Sequence, residues 1–563
     1  VHRWLLQPEN KGNRGMTQSS SFWRKVIYIS IIGLLLLPLS MLGQPSTKSA
    51  GSDLPDGGGV LAQMRQQEGL AQSSLGDIDP ASETMKLATL GLKGVAVTIL
   101  WDNANTYKDE ENWEAFSATV NQIIKLQPNF ITVWEYQAHN IAYNVSVEFD
   151  DYQARYDWVK KGLDFLIQGL AYNRRDYKIL RNLGFFYGSK IGRSDERLQF
   201  RAMFRRDRDY HEMLGDYIPM GSEVSTLYGI DNWLVAKQWY DKAEDKVRDG
   251  VANLKSSHLM FYKDAPSQLR NCAMDLEEEF RPEEPARRKW SEALEAWNEY
   301  GNRALLTSWE TELRLNDKAM ALEELRRLQG VLDQLAPGVR EKLLQERRKN
   351  LTPEQMAAFD KEPNKRTLEE VYLAMEAEGI VKVDDQEVAD QVPSAQSDEG
   401  YRALRAIQQA AEDLRRVENY RSQTNYYYWL NRCEAEQSEL NLEARAAMYD
   451  ARALNEQTIL TTTDQVDPLT GETTEKLGAK EMYEKAFDKW AEVFEAYPVL
   501  IDGVTAQELE ESVREYRLVL ERLVEPFPDP FVLDFVFART GTGEYAQQLE
   551  TMSNENRPSS GGQ

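Results

Sequence analysis

The sequence predicts an all-α protein built from helical hairpins, and three observations carry that prediction. Strand-like alternation of apolar and polar residues is scarce, whereas apolar residues recur at three- and four-residue intervals along most of the 563 residues. The stretch from 401 to 457 contains neither Gly nor Pro, so nothing in it breaks a helix. An aromatic residue is followed three positions later by alanine at Tyr240 and Ala243, Trp290 and Ala293, and Tyr483 and Ala486, with Trp297 and Trp490 four residues beyond the last two alanines. This spacing puts the side chains on one helix face, where the small alanine admits a neighbouring helix and the rings fill the space beside it. Recurrence makes the pattern a packing rule, so the ring-rich run "YEKAFDKWAEVFEAYP" (483–498) is expected to be wall between helices and not a binding platform.

The totals exclude several function classes. A chain of this length with 42% hydrophobic residues can form two to four domains with real cores. A net charge of -25, from 92 acidic and 67 basic residues, repels nucleic acid; the basic runs "FRRDRD" (204–209) and "QERRKN" (345–350) read as solvated helix faces. Cys272 and Cys433 are the two cysteines, too few for a disulfide framework or a thiolate zinc site. Each reads as a small core residue, with a long-range bridge open if the domain is exported.

From the N-terminus, residues 1–25 form a cytoplasmic lead and 26–42, "VIYISIIGLLLLPLSML", an uncharged apolar run at the short end of a bilayer span. Lys11, Arg14, Arg24 and Lys25 precede it and Lys48 follows, so the positive-inside rule keeps the N-terminus in the cytoplasm and exports the rest. Trp23 and Tyr28 suit the interface. The run reads as a single-pass inner-membrane anchor; cleavage near Pro38, Ser40 and Gly43, releasing the body, is the alternative. Met16 is an alternative start. Residues 43–78, rich in Gly, Ser, Pro and Gln, form a flexible linker.

Folding is expected to begin at Asp79 and Pro80, a cap followed by a first-turn proline. A first helical domain covers 79–265. Between 266 and 380, Leu325, Leu328, Leu332 and Leu335 make a heptad-like seam, Pro337 and Gly338 end its helix, and "REKLLQERRKN" begins its expected charged partner. Thr352 with Gln355, and Thr367 with Glu370, form capping boxes. Residues 381–399 read as a linker, 400–537 as a C-terminal helical domain and 538–563 as a polar tail, with "TTTDQVDPLTGETTEKLG" an exposed loop.

Several motifs carry a family resemblance. Leu183, Gly184 and Tyr187 in "LRNLGFFYGSK" stand as L-G-x2-Y, Ala486 and Trp490 as A-x3-aromatic, and Pro128 and Pro498 close helices. In these the chain resembles the tetratricopeptide repeat family, in a degenerate form covering about 86–250 and hairpins near 290 and 490. The anchor followed by "DNWLVAKQWYDKAE" is also similar to membrane-anchored repeat proteins of planctomycete bacteria. The resemblance implies an irregular α-solenoid behind an N-terminal transmembrane helix.

No catalytic, cofactor-binding or metal-binding residue stands out. "HEMLG" (211–215) has Gly215 where a zinc-binding helix needs its second histidine, and no phosphate loop or nucleophile elbow is present. His139 reads as a packed histidine. The expectation is an extracytoplasmic scaffold or adaptor that binds a protein or peptide partner through Tyr143, Asn144, Arg181, Asn182, Tyr426, Tyr427, Tyr428 and Trp429, polar or aromatic residues beside packing positions. At least one ring of the last four must face outward from a helix. Two alternatives stand beside it: an all-helical toroid-like carbohydrate-active enzyme using paired carboxylates, and a structural component of the cell envelope.

Overall fold

The computed structural model describes residues 93–540, apart from Glu283, 308–310, 363–365, 367 and 467–472, together with isolated positions between Trp23 and Pro38. The capping pair at 79–80, the linker 43–78 and most of the tail lie outside the described residues, as does much of the run 26–42. Among the described residues no helix is long and apolar enough to cross a membrane. The described chain is all-α, its strands confined to three two-stranded antiparallel ribbons.

Cα packing divides the chain into two units, one of residues 1–207 and 239–253, the other of 208–238 and 254–563. The second unit thus includes a segment, 208–238, from within the expected first domain of 79–265.

The first unit is a run of helical hairpins. Helix α1 (Lys93–Asp109) pairs with α2 (Trp113–Leu126), which Asn112 caps by accepting from the Ala115 amide at 3.2 Å. Next comes α3 (Ile131–His139), continued by a π turn over Asn140–Val145, and its partner α4 (Tyr152–Leu170), capped by Asp151. Helix α5 (Lys178–Phe186) packs on α3 and α4 and continues in a second π turn over Tyr187–Ile191, and α6 (Arg197–Arg206) packs on that turn and on α4. The Pro128 carbonyl, between α2 and α3, accepts from the Trp134 indole at 2.8 Å and from Asn173 at 3.2 Å, tying the turn to the next hairpin.

Close approach inside this unit depends on glycine. A Cβ on Gly184 of the L-G-x2-Y motif would stand 2.8 Å from the Tyr240 ring. On Gly162 it would stand 2.8 Å from the Ala142 Cβ and 2.9 Å from the Ala138 carbonyl, where α4 crosses α3 and its π turn.

The second unit begins with α7 (Arg208–Leu214), a short ribbon of β1 (Ser225–Thr226) and β2 (Gly229–Ile230), and the start of α8 (Asn232–Arg248), where Asp231 accepts from the Trp233 amide. Helices α9 (His258–Glu279) and α10 (Glu284–Asn302) pair, followed by the ribbon β3 (Leu305–Leu306) and β4 (Glu312–Leu313). Then come α11 (Lys318–Leu335), α12 (Val339–Arg348), α13 (Pro353–Asp360) and α14 (Leu368–Val381). The Thr352 and Gln355 capping box forms in full at the head of α13. Thr367 lies outside the described residues.

Two expectations need correction here. Residues 381–399 are not a linker: Asp384 caps α15 (Asp385–Ala389), and Val388, Ala389 and Val392 are buried. They cover the leucine seam together with Leu404 and Ile407 of α16 (Ser397–Gln423), whereas α12, the expected partner, buries no residue fully. A polar composition concealed three apolar residues spaced for one helical turn and its exit.

The C-terminal part runs through α17 (Tyr426–Ala435), α18 (Glu439–Glu456), α19 (Ala479–Ala496), α20 (Val504–Leu523) and α21 (Asp534–Thr540). The loop expected after α18 instead carries a ribbon of β5 (Thr463–Val466) and β6 (Thr473–Lys476). Tyr483, Ala486, Phe487, Trp490 and Phe494 are all buried in one core with Ala444, Ala447 and Ala451 of α18. Ala243 and Ala293 are buried as well. The ring-and-alanine pattern is wall.

Gly162→Ala tests the close approach. Helix propensity alone would stabilise α4 by roughly 1 kcal/mol. A methyl against a carbonyl and another methyl has nowhere to go, and overpacking costs about 1–3 kcal/mol. The expected outcome is a net loss of stability, read as a lower denaturant midpoint in urea melts of the full chain.

Candidate functional site

The first unit contains a cleft of about 430 Å³ formed by consecutive hairpins. Trp113 and Phe116, from the first turn of α2, make one wall, and Phe185 and Phe186, from the last turn of α5, make another. Helix α3 forms the floor through Glu135, Tyr136 and His139, and its π turn adds Asn140 and Asn144. A π turn widens the helix by one residue, which is why such turns recur where side chains must be aimed. Here it brings Asn140 and Asn144 to the same cleft, with Asn144 Nδ2 donating to Asn140 Oδ1 at 3.0 Å.

The electrostatics of the floor are nearly settled internally. Lys108 lies 5.3 Å from the Tyr136 ring centre, and hydrogen bonding to Tyr136 holds its ammonium above the usual range. The His139 ring stacks on Tyr143 at 4.4 Å and 7°, with the edge of Phe186 against it. Burial, then the positive charges of Lys108 and Lys190, push the His139 pKa down, so its imidazole is neutral at pH 7. Burial raises the pKa of Glu135, against the pull of Lys178 and of the Asn182 amide that donates to it. Asn140 is 2% exposed, and its Nδ2 has no hydrogen-bond partner among the described residues. A buried donor without an acceptor costs about 1–3 kcal/mol. Such a group marks a place where another molecule's acceptor would be welcome.

Of the residues expected to contact a partner, Asn144 and Asn182 line this cleft. Tyr143 lies beneath it, stacked on His139, and Arg181 is half-buried on α5 but outside the lining. The sequence reading missed Asn140, whose four-residue spacing from Asn144 was the available signal, and Phe185, 48% exposed in the midst of an apolar helix.

The four rings of α17 divide. Tyr426 and Tyr428 are corrected: both are buried and cannot meet a partner. Tyr426 stacks on Trp297 at 5.6 Å and donates to Asn316 at 2.9 Å, while the Tyr428 hydroxyl accepts from the Thr505 amide at 2.9 Å. Tyr427 is exposed, and Trp429 is half-buried with the Arg270 guanidinium 3.7 Å from its ring centre. The rotation of about 100° per residue imposes this split.

No group of three or more His, Cys, Asp or Glu among the described residues is arranged to hold a metal. Cys272 and Cys433 are both buried and not disulfide-bonded, and burial pushes the Cys433 pKa up to about 12, well away from reactivity at neutral pH.

The second unit holds a buried ionic cluster. Arg432, 1% exposed, donates to Glu436 at 3.1 Å and to both Glu508 oxygens at 3.0 Å. Arg445 donates to Glu436 and lies 3.2 Å from Glu277, whose other oxygen accepts from the Trp290 indole at 2.7 Å. Three carboxyls thus face two guanidiniums, an imbalance of one negative charge. Burial raises the Glu277 pKa to about 8, with Glu436 adding to the rise and Arg445, Arg432 and Trp290 opposing it. For Glu508, Arg432 and Arg445 outweigh burial and hold it low. Protonated Glu277 balances the cluster.

Stability should therefore depend on pH with a definite sign. Glu277 holds its proton in the fold to higher pH than in the unfolded chain, so its contribution is complete below about pH 4.5 and is lost as pH rises through about 8. Every tenfold difference in proton affinity between fold and unfolded chain is worth about 1.4 kcal/mol. Glu277→Gln keeps the acceptor for Trp290 and removes the titration. Melting temperature in the wild type is expected to fall between pH 6 and 9 by several degrees more than in the variant, measured by calorimetry in buffers of matched ionic strength.

No protein-family model matches the chain, and no curated protein sequence matches it.

Proposed function

We propose that the chain is a membrane-anchored, extracytoplasmic helical-repeat adaptor that binds a protein or peptide partner in the cleft of its first unit. The observation that carries the reading is the buried Asn140 amide without an acceptor, set between the aromatic walls of α2 and α5. An extended peptide supplies what that cleft lacks: backbone carbonyls for the amides and apolar side chains for the rings. Side chains already held in place, His139 by stacking on Tyr143 and Glu135 by the Asn182 amide, suit a preformed recognition surface.

The finer fold reading, a degenerate tetratricopeptide-like array, rests on the hairpins of this unit and on the L-G-x2-Y glycine pressed against Tyr240. The anchor rests on the apolar run 26–42 and its flanking charges. The enzymatic alternative draws less support: the one carboxylate held low in the ionic cluster, Glu508, is clamped by two arginines, which makes it a weak base and a weak nucleophile.

A photo-crosslinking side chain at Phe185 in the full-length, membrane-inserted protein tests the proposal. It is expected to capture one discrete protein, and Asn140→Ala combined with Asn182→Ala should cut that yield about tenfold. The same probe at Leu198, equally exposed on α6 but outside the cleft, should capture nothing specific. Equal capture at both positions would refute a partner site here.

A further inference from the structure

The second unit carries another cleft, of about 520 Å³, in the range of small-molecule sites at ~300–1,000 Å³. Its inner part is made by the ionic cluster together with Trp490, and its outer part by residues at the end of α9, along α18 and at the start of α20. We infer that this cleft binds a neutral polyhydroxylated ligand, a short saccharide, through donors at its base and carboxylate acceptors at its rim.

The base offers donors. Trp490 is 2% exposed, and its indole Nε1 has no hydrogen-bond partner among the described residues. The Glu277 side chain is 7% exposed, and its Oε2 likewise has no hydrogen bond, only the ionic contact with Arg445. With its proton held, Glu277 is a donor too. The arginines beneath add positive charge that is internally matched by Glu436 and Glu508.

The rim offers acceptors. Asp275, Glu278, Glu279, Glu456 and Glu511 line the cleft, against Arg452 alone among basic residues outside the cluster. Asp275 is held in place by accepting from the Trp233 indole at 2.6 Å, and a carboxylate has lone pairs for more than one donor.

This polarity selects the ligand. An anion would have to pass five carboxylates, and a cation seated deep would meet two guanidiniums, with the Glu508 carboxylate already committed to both of them. A hydroxyl group both accepts and donates, so a polyol can accept from Trp490 at the base while donating to the rim. Met274, Met448 and Leu509 supply apolar contact for the C–H face of a sugar ring.

The test is titration calorimetry on the full-length protein with maltotriose, cellotriose and chitotriose, and with spermidine as the cationic probe. At least one trisaccharide is expected to bind with a millimolar or tighter Kd, and spermidine is not. Trp490→Phe removes the N–H and keeps an aromatic ring in the wall; the loss of one buried hydrogen bond should weaken binding about tenfold in protein that is still folded, at a melting temperature lowered by the smaller ring. If that variant fails to fold, Glu456→Ala with Glu511→Ala, both on the exposed rim, should weaken binding at least threefold. Phe185→Ala, in the first unit, should leave the saccharide affinity unchanged, which separates this site from the partner cleft. Binding of none of the trisaccharides, affinity indifferent to the Trp490 and rim variants, or binding of spermidine alone overturns the inference.

Discussion

Two helices can come only as close as the side chains between them allow, and this protein resolves that constraint in one recurring way. A small residue on one helix faces a ring or a backbone on the next. Gly162 lets α4 rest on the carbonyl of Ala138, and Gly184 lets α5 rest on Tyr240. In the second unit, α18 offers Ala444, Ala447 and Ala451 to the core that α19 fills with Tyr483, Phe487 and Trp490. Packing density comparable to an organic crystal leaves little tolerance at such contacts, so a single added methyl registers as strain. The rigid placement of Trp113, Phe185 and the π turn of α3 in the first unit follows from this packing.

That rigidity explains how polar groups can be held unmatched. In a loosely packed interior, the Asn140 amide or the Trp490 indole would rotate toward the nearest acceptor or admit bulk water. Here Asn140 is fixed at one end by Asn144, and Trp490 is fixed by Phe494 against one side and by the Arg445 guanidinium 5.1 Å from its ring centre. Each unmatched donor lowers the stability of the fold, and each is tolerated because larger apolar burial surrounds it. Both lie in cleft walls, where an incoming acceptor recovers the loss.

Much of the fold was legible in the sequence, for reasons that differ by element. The alanine and ring spacing at 240–243, 290–297 and 483–490 was read as packing because periodicity reports directly on which face is buried, and the structure buries each alanine. The Thr352 and Gln355 cap was legible because its chemistry is local. The pairing of the leucine seam was not: Leu325 to Leu335 announce a buried face, but nothing in the local sequence says that α15 and α16, well beyond it in the chain, cover it. The site was half legible for the same reason. Asn144 and Asn182 stood out as polar residues beside packing positions, whereas Asn140 offered only its four-residue spacing from Asn144, and its burial at the start of a π turn is set by the packing of α4 on that turn. Tyr426 and Tyr428 were misjudged because a run of four rings identifies a crowded helix without revealing which of its faces has neighbours.

The two clefts also show why aromatic content alone could not separate wall from platform. Trp297 and Trp490 occupy the same place in the ring-and-alanine pattern, four residues after a buried alanine, and both are almost wholly buried. Trp297 spends its indole N–H on the Tyr426 carbonyl at 3.1 Å, whereas the N–H of Trp490 has no hydrogen-bond partner among the described residues, at the base of a cleft whose rim carries five carboxylates. The ring serves the fold in both cases, since its apolar area is what the neighbouring helix packs against. Function, where it exists, lies in the one polar atom, and that atom's partners come from helices far away in the chain. A packing pattern can therefore repeat faithfully while its copies differ in what surrounds their one polar atom, and the difference is set by neighbours that periodicity does not record.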